Sequence, residues 1–139
     1  MSNVRPLVDH ETLYQDALAL EAAGEFRQAA RLYQQLVTRS GDPRHFVAYG
    51  VCLQRLGYWE QSVQRLERGI ELKPQYCEPD ARLFLAEAYL RTNQKAKAVL
   101  QWQIVEGISP EYPSYEAPSK RAKAMLEAHA NGPLRATGA

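Results

Sequence analysis

The sequence predicts an all-α fold, a stack of antiparallel helix pairs. Three observations carry that reading. Turns at Ala23-Gly24-Glu25, Leu56-Gly57-Tyr58 and Thr92-Asn93-Gln94 recur at spacings of 33 and 36 residues, a self-similarity in the range of helical repeats. Apolar residues on both sides of each turn recur every three or four positions, the period of an amphipathic helix, and strand-type alternation is absent. Prolines and capping residues fall where such helices would start and stop.

In the first pair, Leu13, Ala17 and Leu20 form one stripe, followed after the turn by Phe26, Ala29, Ala30, Tyr33, Leu36 and Val37. Phe46, Tyr49, Gly50 and Leu53 precede the second turn, and Trp59, Val63, Leu66, Ile70 and Leu72 follow it. The third pair has Leu85, Ala86 and Tyr89, then Ala98, Val99, Trp102, Val105 and Ile108. Gly24, Gly57 and Asn93 are residues that tolerate the left-handed conformation ending a helix. Asp42-Pro43 offers a capping side chain followed by a proline whose missing N–H costs nothing at the first helical position. Pro79-Asp80 is expected to open the third pair in a similar way, while Pro74 and Pro110 stop the helices before them.

The resulting segments are an N-terminal arm (1–9), three helix pairs (10–42, 43–78 and 79–112), a capping helix (113–131) and a disordered tail (132–139). The capping helix proper runs from about Pro118 to Ala130, with a narrow stripe of Ala122, Met125, Leu126 and His129. Asn131-Gly132-Pro133 is expected to end it.

Composition excludes several functions. The chain has 139 residues, 45% of them hydrophobic and 24% charged, which suits one folded domain. With 17 Lys and Arg against 16 Asp and Glu, nothing favours an electrostatic nucleic-acid or membrane-surface role. The first residues lack a basic n-region and an apolar h-region, and no apolar run suits a bilayer, so a cytoplasmic location is expected. Two cysteines, Cys52 and Cys77, are too few for a disulfide framework.

The stretch from Ala48 through Tyr49-Gly50-Val51-Cys52-Leu53 to Gly57-Tyr58-Trp59, continuing to Leu72-Lys73-Pro74, resembles a tetratricopeptide repeat almost position by position. Gly50 and Ser62 match its small residues, and Leu53 a large one. The third pair matches through Ala86, Tyr89, Ala98, Trp102 and Pro110, and the first through Ala17, Leu20, Gly24, Phe26, Ala29 and Tyr33. The resemblance covers roughly residues 10–110 and implies three repeats stacked in a right-handed superhelix, closed by a C-terminal capping helix. Asp16, Arg82 and Lys95 depart from the pattern, and weakened outer repeats are expected there.

In such a stack the first helix of each pair lines a concave groove. By this resemblance the partner-binding residues are Tyr14, Leu18 and Glu21 in the first pair and Arg44, Val47, Val51 and Arg55 in the second. Leu83, Phe84, Glu87 and Arg91 complete the set from the third. Tyr14, Leu18, Ala48, Asp80 and Phe84 stand where the best-known subfamily clamps a C-terminal carboxylate with Lys, Arg and Asn, so that mode is excluded. A mostly apolar floor is left, with Arg44, Arg55 and Arg91 expected to read charge beside it.

Catalytic and cofactor motifs are absent: no dinucleotide fingerprint, phosphate loop, Cys-x-x-Cys or serine elbow. None of the three histidines has metal-ligand spacing to another. His45 and Cys52 share a helix, but seven residues of rise, about 10 Å, separate them, so Cys52 reads as a packed core thiol. The expected protein is therefore no enzyme and needs no metal or cofactor. Its expected function is an interaction adaptor gripping a protein or peptide partner. The alternatives are a dedicated small chaperone or immunity-type partner of one secreted protein, and a self-associating component whose groove is filled by a second copy or the N-terminal arm.

Overall fold

The computed structural model describes residues 9–75, 77–108 and 116–138. The expected arm (all but Asp9), the proline-rich stretch 109–115 and residue 139 lie outside them. Among the described residues there are seven helices: α1 (His10–Ala22), α2 (Phe26–Arg39), α3 (Pro43–Arg55), α4 (Trp59–Glu71), α5 (Glu78–Arg91), α6 (Lys95–Gly107) and α7 (Glu116–Gly138). The helices pack in sequence order, α1 on α2, α3 on α4 and α5 on α6, with each pair laid against the next and α7 against α5 and α6.

The turns repeat in atomic detail. Gly24 (φ +82), Gly57 (φ +80) and Asn93 (φ 61) are all left-handed. After each, the next N–H reaches the carbonyl five residues back: Glu25 to Leu20 at 2.8 Å, Tyr58 to Leu53 at 2.9 Å and Gln94 to Tyr89 at 2.7 Å. That bond satisfies a carbonyl the ending helix leaves free and folds the chain back on itself. Helix starts are less uniform. Asp42 caps α3, accepting from Arg44 N at 2.9 Å, with Pro43 at the first position. α5 instead starts at Glu78, ahead of the expected Pro79-Asp80 opening, with Cys77 in the cap position and no side-chain cap bond. Proline fits because first-turn N–H groups have no intrahelical partner anyway.

Two buried clusters form the core. One joins the first two pairs through Ala17, Ala29, Tyr33, Leu36, Tyr49 and Cys52; the other runs from Val63 and Leu66 through Leu85, Tyr89 and Trp102 to Ala122 of α7. Gly50 sits where a Cβ would lie 2.6 Å from Leu66 Cγ, which fits its expected role as the small residue at the α3–α4 crossing. Ser62, fully buried, donates to the Gly50 carbonyl at 2.8 Å. Gly69 makes a second close approach that the sequence did not disclose: a Cβ there would stand 2.9 Å from Val47 Cγ2.

Both departures in the third pair have polar partners. Arg82 pairs with Glu78 at 2.9 Å and donates to Gln101 Oε1 at 2.8 Å, so the charge replacing an apolar residue is satisfied. Lys95 Nζ reaches the His129 carbonyl of α7 at 3.2 Å. This contact bears on the largest correction to the sequence reading: α7 does not end at Asn131-Gly132-Pro133 with a disordered tail, but continues to Gly138. Pro133 has no N–H for the carbonyl four residues back, which belongs to His129. Lys95 supplies the missing donor to that oxygen. His129 itself stacks on Trp102, ring centroids 5.0 Å apart, and pins the same turn of α7 to α6.

Candidate functional site

α1, α3 and the connection from α4 to α5 enclose a cleft of about 830 Å³. From α1 come Tyr14, Leu18 and Glu21, spaced so that all three share one face, away from the buried Ala17. From α3 come Pro43, Arg44, Val47, Ala48 and Val51, while Tyr49, Cys52 and Leu53 turn into the core. Leu72, Lys73, Pro74, Gln75 and Cys77 close the wall.

Six of the expected groove residues meet in this cleft: Tyr14, Leu18, Glu21, Arg44, Val47 and Val51. The other five stand apart. Leu83, Phe84 and Glu87 line a smaller cavity of about 190 Å³ with Gln54, Trp102, Arg121 and Met125. There α7 covers part of the face that a bare stack would leave open. Gln54 crosses from α3 to α5, its Nε2 donating to the Phe84 carbonyl at 2.8 Å. Arg55 lies over the Phe26 ring at 5.7 Å in a shallow depression shared with Leu18 and Glu21. Arg91 stacks on Trp59 at 5.0 Å and pairs with Glu87 at 2.8 Å, beside the α3–α4 turn.

The wall residues 72–75 and 77 were missed because only first helices were expected to line the groove. The available signal was the longer second spacing, 36 residues against 33, which lengthens this connection.

Two of the three expected charge-reading arginines are already engaged. Arg44 bonds Asp42 at 2.7 Å and Glu11 at 3.3 Å, and lies over the Tyr14 ring at 5.2 Å. The Arg44 hydrogen bonds hold the Asp42 carboxyl below the usual carboxylate range. Burial pushes the Tyr14 phenol up, so it stays a neutral hydroxyl. Beneath them His45 is buried, its ring 4.9 Å from Tyr14 and Nδ1 3.1 Å from Ser40 Oγ. Desolvation lowers its pKa, which keeps the imidazole neutral.

The thiols are not activated. Burial pushes Cys52 up to about 12, and its Sγ donates to the Phe26 carbonyl at 3.3 Å, as expected of a packed core thiol. Cys77 is half-buried in the cleft wall and is likewise raised by burial. Among the described residues no group of three His, Cys, Asp or Glu side chains could hold a metal ion, and no helix is long and apolar enough to cross a membrane. What the site offers is shape and apolar surface.

The chain resembles solved structures over most of its length. PcrH in complex with the chaperone binding region of PopD is 30% identical, over 90% of this chain and 95% of that one, with a TM-score of 0.80. PcrH from Pseudomonas aeruginosa alone is 29% identical, over 92% and 98%, with a TM-score of 0.78. The type III secretion chaperone SycD of Yersinia enterocolitica, in complex with a peptide of the translocator YopD, is 26% identical, over 85% and 89%, with a TM-score of 0.76. The chain has the fold of the type III secretion chaperones. No protein-family model and no curated protein matches it. In this fold the cleft between α1 and α3 is a concave, mainly apolar feature.

Proposed function

We propose that this protein is a dedicated chaperone, holding an apolar segment of a secreted partner in the cleft between α1 and α3. One observation carries the reading. The cleft is floored by Tyr14, Leu18, Val47 and Val51, an apolar surface that a soluble monomer rarely leaves uncovered. Similarity to SycD bound to a YopD peptide and to PcrH bound to the PopD chaperone binding region supports a chaperone over a general adaptor. The chemistry fits such work. A holding protein needs an apolar, preformed trough and no reacting group, and the two cysteines and the buried histidine are held in unreactive forms.

The segment that enters would lie extended or helical along α1 and α3, with its apolar side chains against Leu18 and Val51. Replacing Val51 by Glu places a carboxylate on that floor without disturbing the seam, since Val51 is not among the core residues. The test is retention of partner from native cells by the tagged protein and by Val51→Glu, both checked by circular dichroism. One dominant partner held by the wild type, lost by the variant and insoluble when expressed without this protein is the expected outcome. A partner held equally by both would remove the cleft from the reading.

A further inference from the structure

Two of the charges lining the cleft have no ion-pair partner. Arg44 is paired with Asp42 and Glu11 at the start of α3. Lys73 and Glu21 also line the cleft, and among the described residues neither forms an ion pair.

Glu21 is anchored through its side chain, and Lys73 is set by its backbone. Glu21 Oε1 accepts from the Tyr33 hydroxyl at 2.7 Å, and Tyr33 is fully buried, so this carboxylate is anchored to the core. Lys73 is left-handed (φ 59) without being glycine. It also precedes Pro74, whose ring favours an extended residue before it. Lys73 follows the C-cap of α4, and this left-handed ending turns the chain from α4 into the cleft wall.

The two charges enter from different elements, Glu21 from α1 and Lys73 from the connection after α4. Gly69, four residues before Lys73, packs against Phe46 and Val47 near the start of α3, the end of the cleft where Tyr14 lies under Arg44 and near Cys77. Glu21 lies seven residues further along α1, about 10 Å of helix. An extended chain advances about 3.3 Å per residue and crosses that distance in roughly three to four residues.

We propose that the cleft selects a dipolar motif: an apolar stretch of partner with an acidic side chain against Lys73 and a basic one against Glu21, roughly three to four residues apart. This rests on reading the cleft as a segment-binding site. Charge complementarity of this kind sets the direction and register of a bound chain more than its bulk affinity.

The test uses three labelled peptides with one apolar core, Leu-Val-Leu, flanked by Asp then Lys, by Lys then Asp, or by Asn and Gln, read by fluorescence polarisation. One charged order should bind the wild type about 3–10-fold more tightly than the other two. The gap should shrink at about 0.5 M salt. In Lys73→Glu/Glu21→Lys the preference should pass to the opposite order. Glu21→Lys removes the acceptor of the buried Tyr33 hydroxyl, so Lys73→Glu alone, in the connection, provides a second variant in which the preference must vanish or invert.

Equal binding of the three peptides by the wild type overturns the dipolar motif and leaves the cleft reading standing, provided Val51→Glu weakens all three. Peptides indifferent to Val51→Glu, or none bound at millimolar concentration, overturn the cleft reading itself.

Discussion

Replacing Gly50 with alanine adds one methyl group where α3 crosses α4 closely, and its consequence follows from distances. The new Cβ would lie 2.6 Å from Leu66 Cγ and 2.8 Å from its Cδ2, closer than non-bonded carbons approach. Leu66 is fully buried in the cluster that runs from α4 to α7, so it can yield only by displacing its core neighbours. Overpacking a filled core costs about 1–3 kcal/mol, and so deep an overlap belongs in the upper half of that range. Alanine returns about 1 kcal/mol through its better helix propensity. The expected net loss is about 1–2 kcal/mol, or roughly 3–8 °C in Tm for a chain of this length. Urea and thermal unfolding followed by far-ultraviolet circular dichroism measure it. Gly107→Ala is the control, because a Cβ there meets nothing within 4 Å; it should be neutral or stabilising. A Gly50→Ala protein as stable as the wild type, or a Gly107→Ala protein losing as much, would refute the contact argument.

Two further outcomes are expected. His45 is buried with Nε2 lacking a hydrogen-bond partner, 3.7 Å from Asp42 Oδ2, and desolvation holds its pKa down. The unfolded chain therefore takes up this proton first as pH falls, so its contribution is complete above the ordinary imidazole value of about 6.5 and is lost from there downward. The urea midpoint should drop between about pH 7.5 and pH 5 and flatten in His45→Gln; an unchanged slope in the variant would assign the drop to other groups. Lys95→Met removes the donor that serves the His129 carbonyl above Pro133. Backbone hydrogen exchange in α7 beyond His129 should then quicken while α1 to α4 stay as protected as before, and an unaltered α7 would show that Lys95 plays no part in its continuation.

The helices were legible because their signals are local. Gly24, Gly57 and Asn93 are left-handed where the turn chemistry required it, and Gly50 meets Leu66 where a small residue was needed. The shared faces were legible for the same reason: a face of α1 or α3 is a matter of spacing, and Tyr14, Leu18, Val47 and Val51 line one cleft. Leu83 and Phe84 share an apolar face of α5 just as clearly, but Met125 and Arg121 of α7 lie over it. No periodicity announces where a distant helix will land.

The polar network resisted sequence reading more strongly. Arg44, Arg55 and Arg91 look equivalent as a string of cations. Arg44 and Arg91 are spent on Asp42, Glu11 and Glu87, whereas Lys73, read only as part of a helix ending before proline, stands in the wall with no ion-pair partner among the described residues. A charge is free or neutralised according to which side chains come within a few ångströms of it, and those neighbours come from different helices.

Period, turn residues and caps act over a few positions along the chain, so the sequence by itself determined seven helices' worth of local structure and their folding back in pairs. Where α7 packs, what meets the His129 carbonyl, how the connection from α4 to α5 walls the cleft and which charges it leaves unpaired depend on contacts between residues far apart in sequence. Only the tertiary structure decided those, because burial and electrostatic pairing are properties of a neighbourhood in space.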